Sequence, residues 1–175
     1  MKDLMRHRTA ISEDISILLN KQIQLEAQSS AAYLAMAAWC DANGFENSAN
    51  FFFAQSDEER VHMLKIFKYM ADMGASPVSP IVKETNHDYS SLREVFETAL
   101  EQEISVSDSI GHLVAACRKV NDFATEELMR WFVTEQVEEE FVARRAIELL
   151  DMLSNDQNGL IMFDERVSKI SYTKE

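Results

Sequence analysis

The sequence predicts an all-α fold: a four-helix bundle with one long crossover and a short fifth helix, built from residues 1–175 as a single domain. Three observations predict it. Gly and Pro, the strongest helix breakers, number only 4 and 2. Four long segments repeat apolar residues at helical period. The second and third of these are separated by about fifteen residues with no such period, more than a compact domain normally leaves unstructured. With 46% hydrophobic residues the chain can fill a core and is not a disordered polymer.

The first helix is expected from about Ser12 to Asp41, stopping at Asn43-Gly44. The second runs from Glu46 to Met73 and stops at Gly74. Ala75 to Tyr89 holds both prolines, Pro77 and Pro80, and reads as a connection. The third helix starts at Ser91, where Ser91-x-x-Glu94 has the form of a capping box, and continues to about Lys119. Asn121 or Asp122 opens the fourth, which ends near Leu153; a short apolar piece, Leu160 to Val167, follows a break at Asn158-Gly159. The joins between helices one and two, and between three and four, are short, so each pair is antiparallel. An extended stretch of about fifteen residues reaches about 50 Å, enough for the crossover to travel along the bundle.

Thirty acidic residues against 17 basic ones give a net charge of -13, which repels nucleic acid and suits cations or simple solubility. Cys40 and Cys117 lie far apart in apolar surroundings and form neither a disulfide framework nor a Cys-x-x-Cys zinc site. The first twenty residues contain no signal-peptide core, and no apolar run approaches the ~20 residues of a membrane span. A reducing cytoplasm is the expected location.

The informative residues are polar ones on the inward stripes. Positions seven apart share a helix face in a bundle. In helix one Leu19, Glu26, Tyr33 and Cys40 form such a row. In helix two Phe52, Glu59, Ile66 and Met73 form one, with Gln55, His62 and Tyr69 beside it. Helix three contributes Phe96, Glu103, Ile110 and Cys117. Helix four offers three adjoining rows: Leu128, Glu135, Val142 and Leu149; Met129, Gln136, Ala143 and Leu150; Phe132, Glu139, Ala146 and Leu153. Each helix therefore places a carboxylate on or beside its core face near mid-length. An unpaired buried carboxylate costs several kcal/mol, against a typical net stability of about 5–15 kcal/mol. Arg60 and Lys65 fall off these rows, so bound metal is the simplest neutraliser; the alternative is a hydrated polar layer with every oxygen hydrogen-bonded. Glu59-x-x-His62 supplies two ligands one turn apart, and carboxylates with a single imidazole suit iron or manganese.

These residues resemble the ferritin family, and within it the bacterial non-haem ferritins, over almost the whole chain. The resemblance rests on Leu25-Glu26 with Tyr33, on Glu58-Glu59-x-x-His62, on Glu103, and on Trp131-x-x-x-Glu135-Gln136-x-Glu138-Glu139-Glu140. It implies an iron-storage subunit that oxidises Fe(II), a ferroxidase, within a homo-oligomeric shell of two dozen subunits, with dioxygen or hydrogen peroxide as oxidant. It implies Glu26, Glu59 and His62 as ligands of a first iron, Glu59 bridging to a second held by Glu103 with Gln136 close by, and a third iron site from Glu58, Glu135 and Glu139, with Glu138 nearby. Tyr33 matches a tyrosine standing beside the di-iron centre, or is a buried hydrogen-bonded tyrosine and no more. Arg60 occupies the place of the haem-binding methionine of bacterioferritins, so no haem is expected. The second Glu-x-x-His of bacterioferritins and rubrerythrin-type peroxidases is absent, since the stretch reads Gln136-Val137-Glu138-Glu139. Glu126 matches an acidic position of the three-fold entry channel, or is a solvated first-turn acid. Leu160, Ile161, Met162 and Phe163 form an apolar patch that either meets a partner subunit or folds back on its own bundle.

Overall fold

Helices form where the periodic segments lie: α1 Glu13–Ala42, α2 Glu46–Asp72, α3 Leu92–Val120, α4 Phe123–Leu153 and α5 Gln157–Val167. The computed structural model describes residues 9–153 and 156–172. Most starts are set by a short polar side chain that accepts an otherwise unpaired backbone N–H. Ser12 accepts from Ile15 N at 3.3 Å, Ser91 from Glu94 N at 3.2 Å, Asp122 from Thr125 N at 3.0 Å and Asp156 from Gly159 N at 2.8 Å. The ends use left-handed backbone: Gly44 and Gly74 follow α1 and α2 at φ 82° and 78°, and Asn121 closes α3 at φ 57°. Asn121 therefore ends the third helix, and Asp122 opens the fourth.

Two local expectations need correction. Glu94 does not return to Ser91; its carboxylate takes the Ser90 backbone N–H instead, at 2.6 Å, because Ser90 is the donor that the extended entry presents to it. Asn158-Gly159 is not a break but lies within α5, which starts three residues earlier than the apolar pattern suggests. Gly159 is needed there because the helix passes against the end of α4: a Cβ would meet the Leu153 carbonyl oxygen at 1.5 Å.

α1 pairs with α2 and α3 with α4, and α1 also contacts α3. The crossover runs alongside α1 and is held by a ladder of amides one turn apart. Asn20 accepts from Val78 N at 2.8 Å, Gln24 donates to Ile81 O at 3.4 Å, and Gln28 both accepts from Lys83 N at 2.8 Å and donates to Lys83 O at 3.3 Å. A loop without secondary structure thereby finds partners for its backbone along the helix.

The core divides into two apolar clusters. One gathers Ile15, Leu19, Ile23, Ile66, Met70, Val106, Ile110 and Phe132. The other gathers Tyr33, Met36, Cys40, Phe52, Phe96, Ala146 and Leu150, and takes in Phe163 and Val167 of α5. The early part of α1 thus lies with the late parts of α2 and α3 and the early part of α4, which makes α2 and α3 parallel across the crossover. Between the clusters is a polar layer. Phe163 packs edge-on against Phe96 at 5.2 Å, while Ile161 and Met162 stay exposed, so the apolar patch of α5 is split between its own bundle and the surface.

α2 has no capping side chain of its own. Asp164 of α5 supplies one, accepting from Ser48 N and Oγ at 2.8 and 2.7 Å and from Asn47 N and Nδ2 at 3.1 Å each. Burial pushes the Asp164 carboxyl up, but these bonds outweigh it and hold the group below its ordinary value. Its contribution is therefore present above the ordinary aspartate range and is lost as pH falls through the lowered value. Asp164→Ala should destabilise the fold by about 1.5–3 kcal/mol at neutral pH, the range for hydrogen bonds to a charged group, with less difference from wild type in acid. Thermal unfolding at the two pH values measures this.

Candidate metal centre

The polar layer is built from side chains that each of the four long helices turns inward near mid-length. Glu26 (0% exposed), Glu59 (3%), His62 (2%), Glu103 (1%), Gln136 (5%) and Glu139 (6%) are all buried. They sit between Ile23 and Tyr33 on α1, Phe52 and Ile66 on α2, Ala99 and Val106 on α3, and Phe132 and Ala143 on α4, where helical period turns each inward. One oxygen each from Glu26 and Glu59 and one ring nitrogen of His62 lie within 4.8 Å of one another, and Glu58, His62 and Glu139 form a second such group around the same imidazole. Glu58 is exposed, so this second group reaches the surface.

The imidazole is held by ring contacts. Trp131 and Phe132 stand edge-on to it at 5.4 and 5.7 Å, and Lys65 covers Trp131 with Nζ 3.8 Å from the ring centroid. His62 Nδ1 faces Glu59 Oε2 at 3.5 Å. Tyr33 donates its hydroxyl to Glu103 Oε1, and Gln136 Nε2 donates to Glu103 Oε2 at 3.0 Å. Glu135 is half-buried, on the row at the margin of the core, and joins neither group; Glu138 is also half-buried. Glu126 is bound by Arg118 at 3.0 Å and Arg130 at 3.4 Å, so it is not a simply solvated first-turn acid.

Some partners carry no signal as strong as a core row. Gln22, fully buried, donates to Glu26 Oε1 at 2.8 Å and accepts from Ser109 at 2.6 Å. Its place one turn before Glu26 on the same face was the available clue. Of the pair behind Gln136, Ser107 carried no signal, and Glu140 only its charge and its place at the end of the acidic run of helix four.

Among the described residues no lysine or arginine pairs with Glu26, Glu59, Glu103 or Glu139. Glu26 Oε2 and Glu59 Oε2 are buried with no hydrogen-bond partner. Burial, followed by the Glu59 charge, raises the Glu26 carboxyl well above the ordinary range; burial and then Glu103 do the same to Glu59. Glu103 is raised by burial against the pull of Tyr33 and Gln136. Burial, with Glu103 and Glu58, pushes Glu139 up to about 9. Burial and the facing Glu103 hold Tyr33 protonated. Such oxygen-rich sites with one imidazole accept hard or borderline divalent cations, which would replace the protons.

The comparisons with known proteins bear on this arrangement. Residues 17–153 match the family model of the ferritin-like domain. The chain belongs to the ferritin family. Among similar proteins, a probable bacterial non-haem ferritin-like protein of Haemophilus influenzae is 37% identical over 161 residues, covering 92% of this chain and 98% of that one. A bacterial non-haem ferritin of Staphylococcus aureus is 35% identical over 165 residues, covering 94% and 99%. An open-pore ferritin of the archaeon Archaeoglobus fulgidus has a closely similar structure, with a TM-score of 0.88 and 33% identity over 92% of this chain and 98% of that one. The five-helix ferritin architecture is thus shared along nearly the full length. No helix of the described residues is long and apolar enough to cross a membrane.

Two outcomes test the electrostatics. Zn(II) binding at neutral pH should release protons, seen as a calorimetric heat that changes with the ionisation enthalpy of the buffer. For stability, the folded value of Glu139 near 9 lies above its ordinary ~4.3, so its contribution is full below that ordinary value and is lost as pH rises through about 9. Metal-free protein should melt at progressively lower temperature across that window, and Glu139→Gln should flatten the decline.

Proposed function

We propose that this chain is the subunit of a cytoplasmic iron-storage ferritin: it oxidises Fe(II) to Fe(III) at a di-iron centre within the subunit and deposits ferric mineral inside a homo-oligomeric shell of two dozen copies. One observation carries the reading. Carboxylates of α1, α2 and α4 group around a single imidazole in a buried layer that Glu103 of α3 also enters, with two orphaned oxygens and, among the described residues, no lysine or arginine to neutralise them.

In this reading Fe(II) is substrate. Glu26, Glu59 and His62 bind the first ion, and Glu59 is shared with a second held by Glu103 and Gln136. The proximity of the Glu26 and Glu59 oxygens to His62 supports the first site. The Gln136 contact with Glu103 supports the second. Glu58 and Glu139, which also group with His62, suit a third site that hands iron onward, with the half-buried Glu135 and Glu138 beside it in sequence. Two Fe(II) ions supply two electrons to dioxygen or hydrogen peroxide, and the protons displaced from the carboxyls are released as the cations bind. The role of the protein is to hold two cations close together by shared carboxylates and to keep water largely out. A neutral amide at Gln136, in place of another anion or imidazole, leaves the second position weaker and favours release of the ferric product. Tyr33 steadies Glu103 through its hydroxyl.

Removing groups that merely support metal ligands typically costs about 10–100-fold, so loss of two direct ligands should cost at least the upper end. Glu59→Ala with His62→Ala should therefore reduce aerobic Fe(II) oxidation, followed by ferric absorbance in stopped flow, to nearly the rate in buffer. Unchanged rapid oxidation would refute the site. Size exclusion should give a shell of several hundred kilodaltons, and electron microscopy after iron loading should show a dense core; a monomer without mineral would refute storage.

A further inference from the structure

An amide ligand has two ends, and only its oxygen can bind a cation. We propose that Ser107 and Glu140 are positioning residues that hold Gln136 with its nitrogen toward α3, so that its carbonyl oxygen is the atom offered to the second cation; this rests on the di-iron reading above. Gln136 Nε2 lies 3.0 Å from Glu103 Oε2, 3.2 Å from the Glu103 backbone oxygen and 3.4 Å from Ser107 Oγ. A serine hydroxyl has one proton. Ser107 gives its proton to Glu140 Oε1 at 2.6 Å, and a carboxylate can only accept. The serine is thus left as an acceptor toward Gln136. Arg144 fixes the other carboxylate oxygen of Glu140 at 2.5 Å, which completes a directed chain from the surface to Glu103.

Reversing the amide would set its oxygen against the two Glu103 oxygens and the lone pairs of Ser107. Hydrogen bonds have to supply this orientation, because the oxygen and nitrogen ends of an amide are nearly the same size and packing around the buried Gln136 cannot tell them apart. Ser107, Gln136, Glu140 and Arg144 line one groove between α3 and α4.

The test uses Co(II) with the full-length assembled protein, titrated by calorimetry and visible absorption, against Ser107→Ala, Ser107→Thr and Glu140→Gln. Losing one hydrogen bond should weaken the second Co(II) site about threefold to tenfold in Ser107→Ala, while the first keeps its affinity. Ser107→Thr, which keeps the hydroxyl, should bind like wild type. In Glu140→Gln the new amide can donate to Ser107 and turn the serine proton toward Gln136, so the second site should weaken as in Ser107→Ala. Wild-type affinity at both sites of Ser107→Ala, or equal weakening of both, overturns the positioning role and leaves the di-iron reading intact. A wild-type protein that takes up fewer than two Co(II) ions per subunit overturns both.

Discussion

Like charges gathered in an apolar interior set the terms for the rest of this molecule. Glu26, Glu59, Glu103 and Glu139 come from four helices into one layer, and their carboxyls are all raised by burial before any neighbour is considered. Without cations, a proton on each is the cheapest way to remove charge that the surroundings cannot solvate. Carboxylates left charged here would be a high-energy arrangement, held together by the bundle around them. That is the condition under which a divalent cation binds tightly: it restores the neutrality that the fold withholds.

The apolar clusters on either side make the arrangement tolerable. Ile15, Leu19, Ile23, Ile66 and Ile110 fill one end, and Tyr33, Phe52, Phe96 and Phe163 the other. Burial of each large side chain contributes about 1.5–3 kcal/mol, so the two ends can offset a layer that favours opening. The short α5 joins the second end twice, through Phe163 against Phe96 and through Asp164 at the start of α2. The amide ladder from α1 serves the same purpose at the side, since it lets the chain cross from α2 to α3 without burying bare backbone.

Geometry within the layer separates roles that charge alone would merge. His62 is shared between two groups of acids, one buried with Glu26 and one opening to the surface with Glu58. Two candidate cation groups, one buried and one reaching the surface, therefore share that single imidazole, whose ring is held by Trp131 and Phe132. Glu103 is different again, tied to Tyr33 and Gln136 on both oxygens. Such a carboxylate is oriented by its neighbours at both oxygens.

By itself the sequence determined the helices, their antiparallel pairing, the crossover and the polar rows with Glu26, Glu59, His62, Glu103, Gln136 and Glu139. The reason is that each is a consequence of local period: once a segment is helical, residues seven apart must share a face, and carboxylates among Leu, Phe and Ile must turn inward with them. Three features were decided only in three dimensions. Helix rotation put Glu139 in the core and its near neighbour Glu135 at the margin, though both lie on rows that look apolar. Contacts between distant segments gave α2 its cap from Asp164 and split Phe163 from Ile161 and Met162. Hydrogen bonds between helices gave Gln22, Ser107 and Glu140 their parts, because a polar residue near a helix surface acquires a role only from what the next helix brings opposite it.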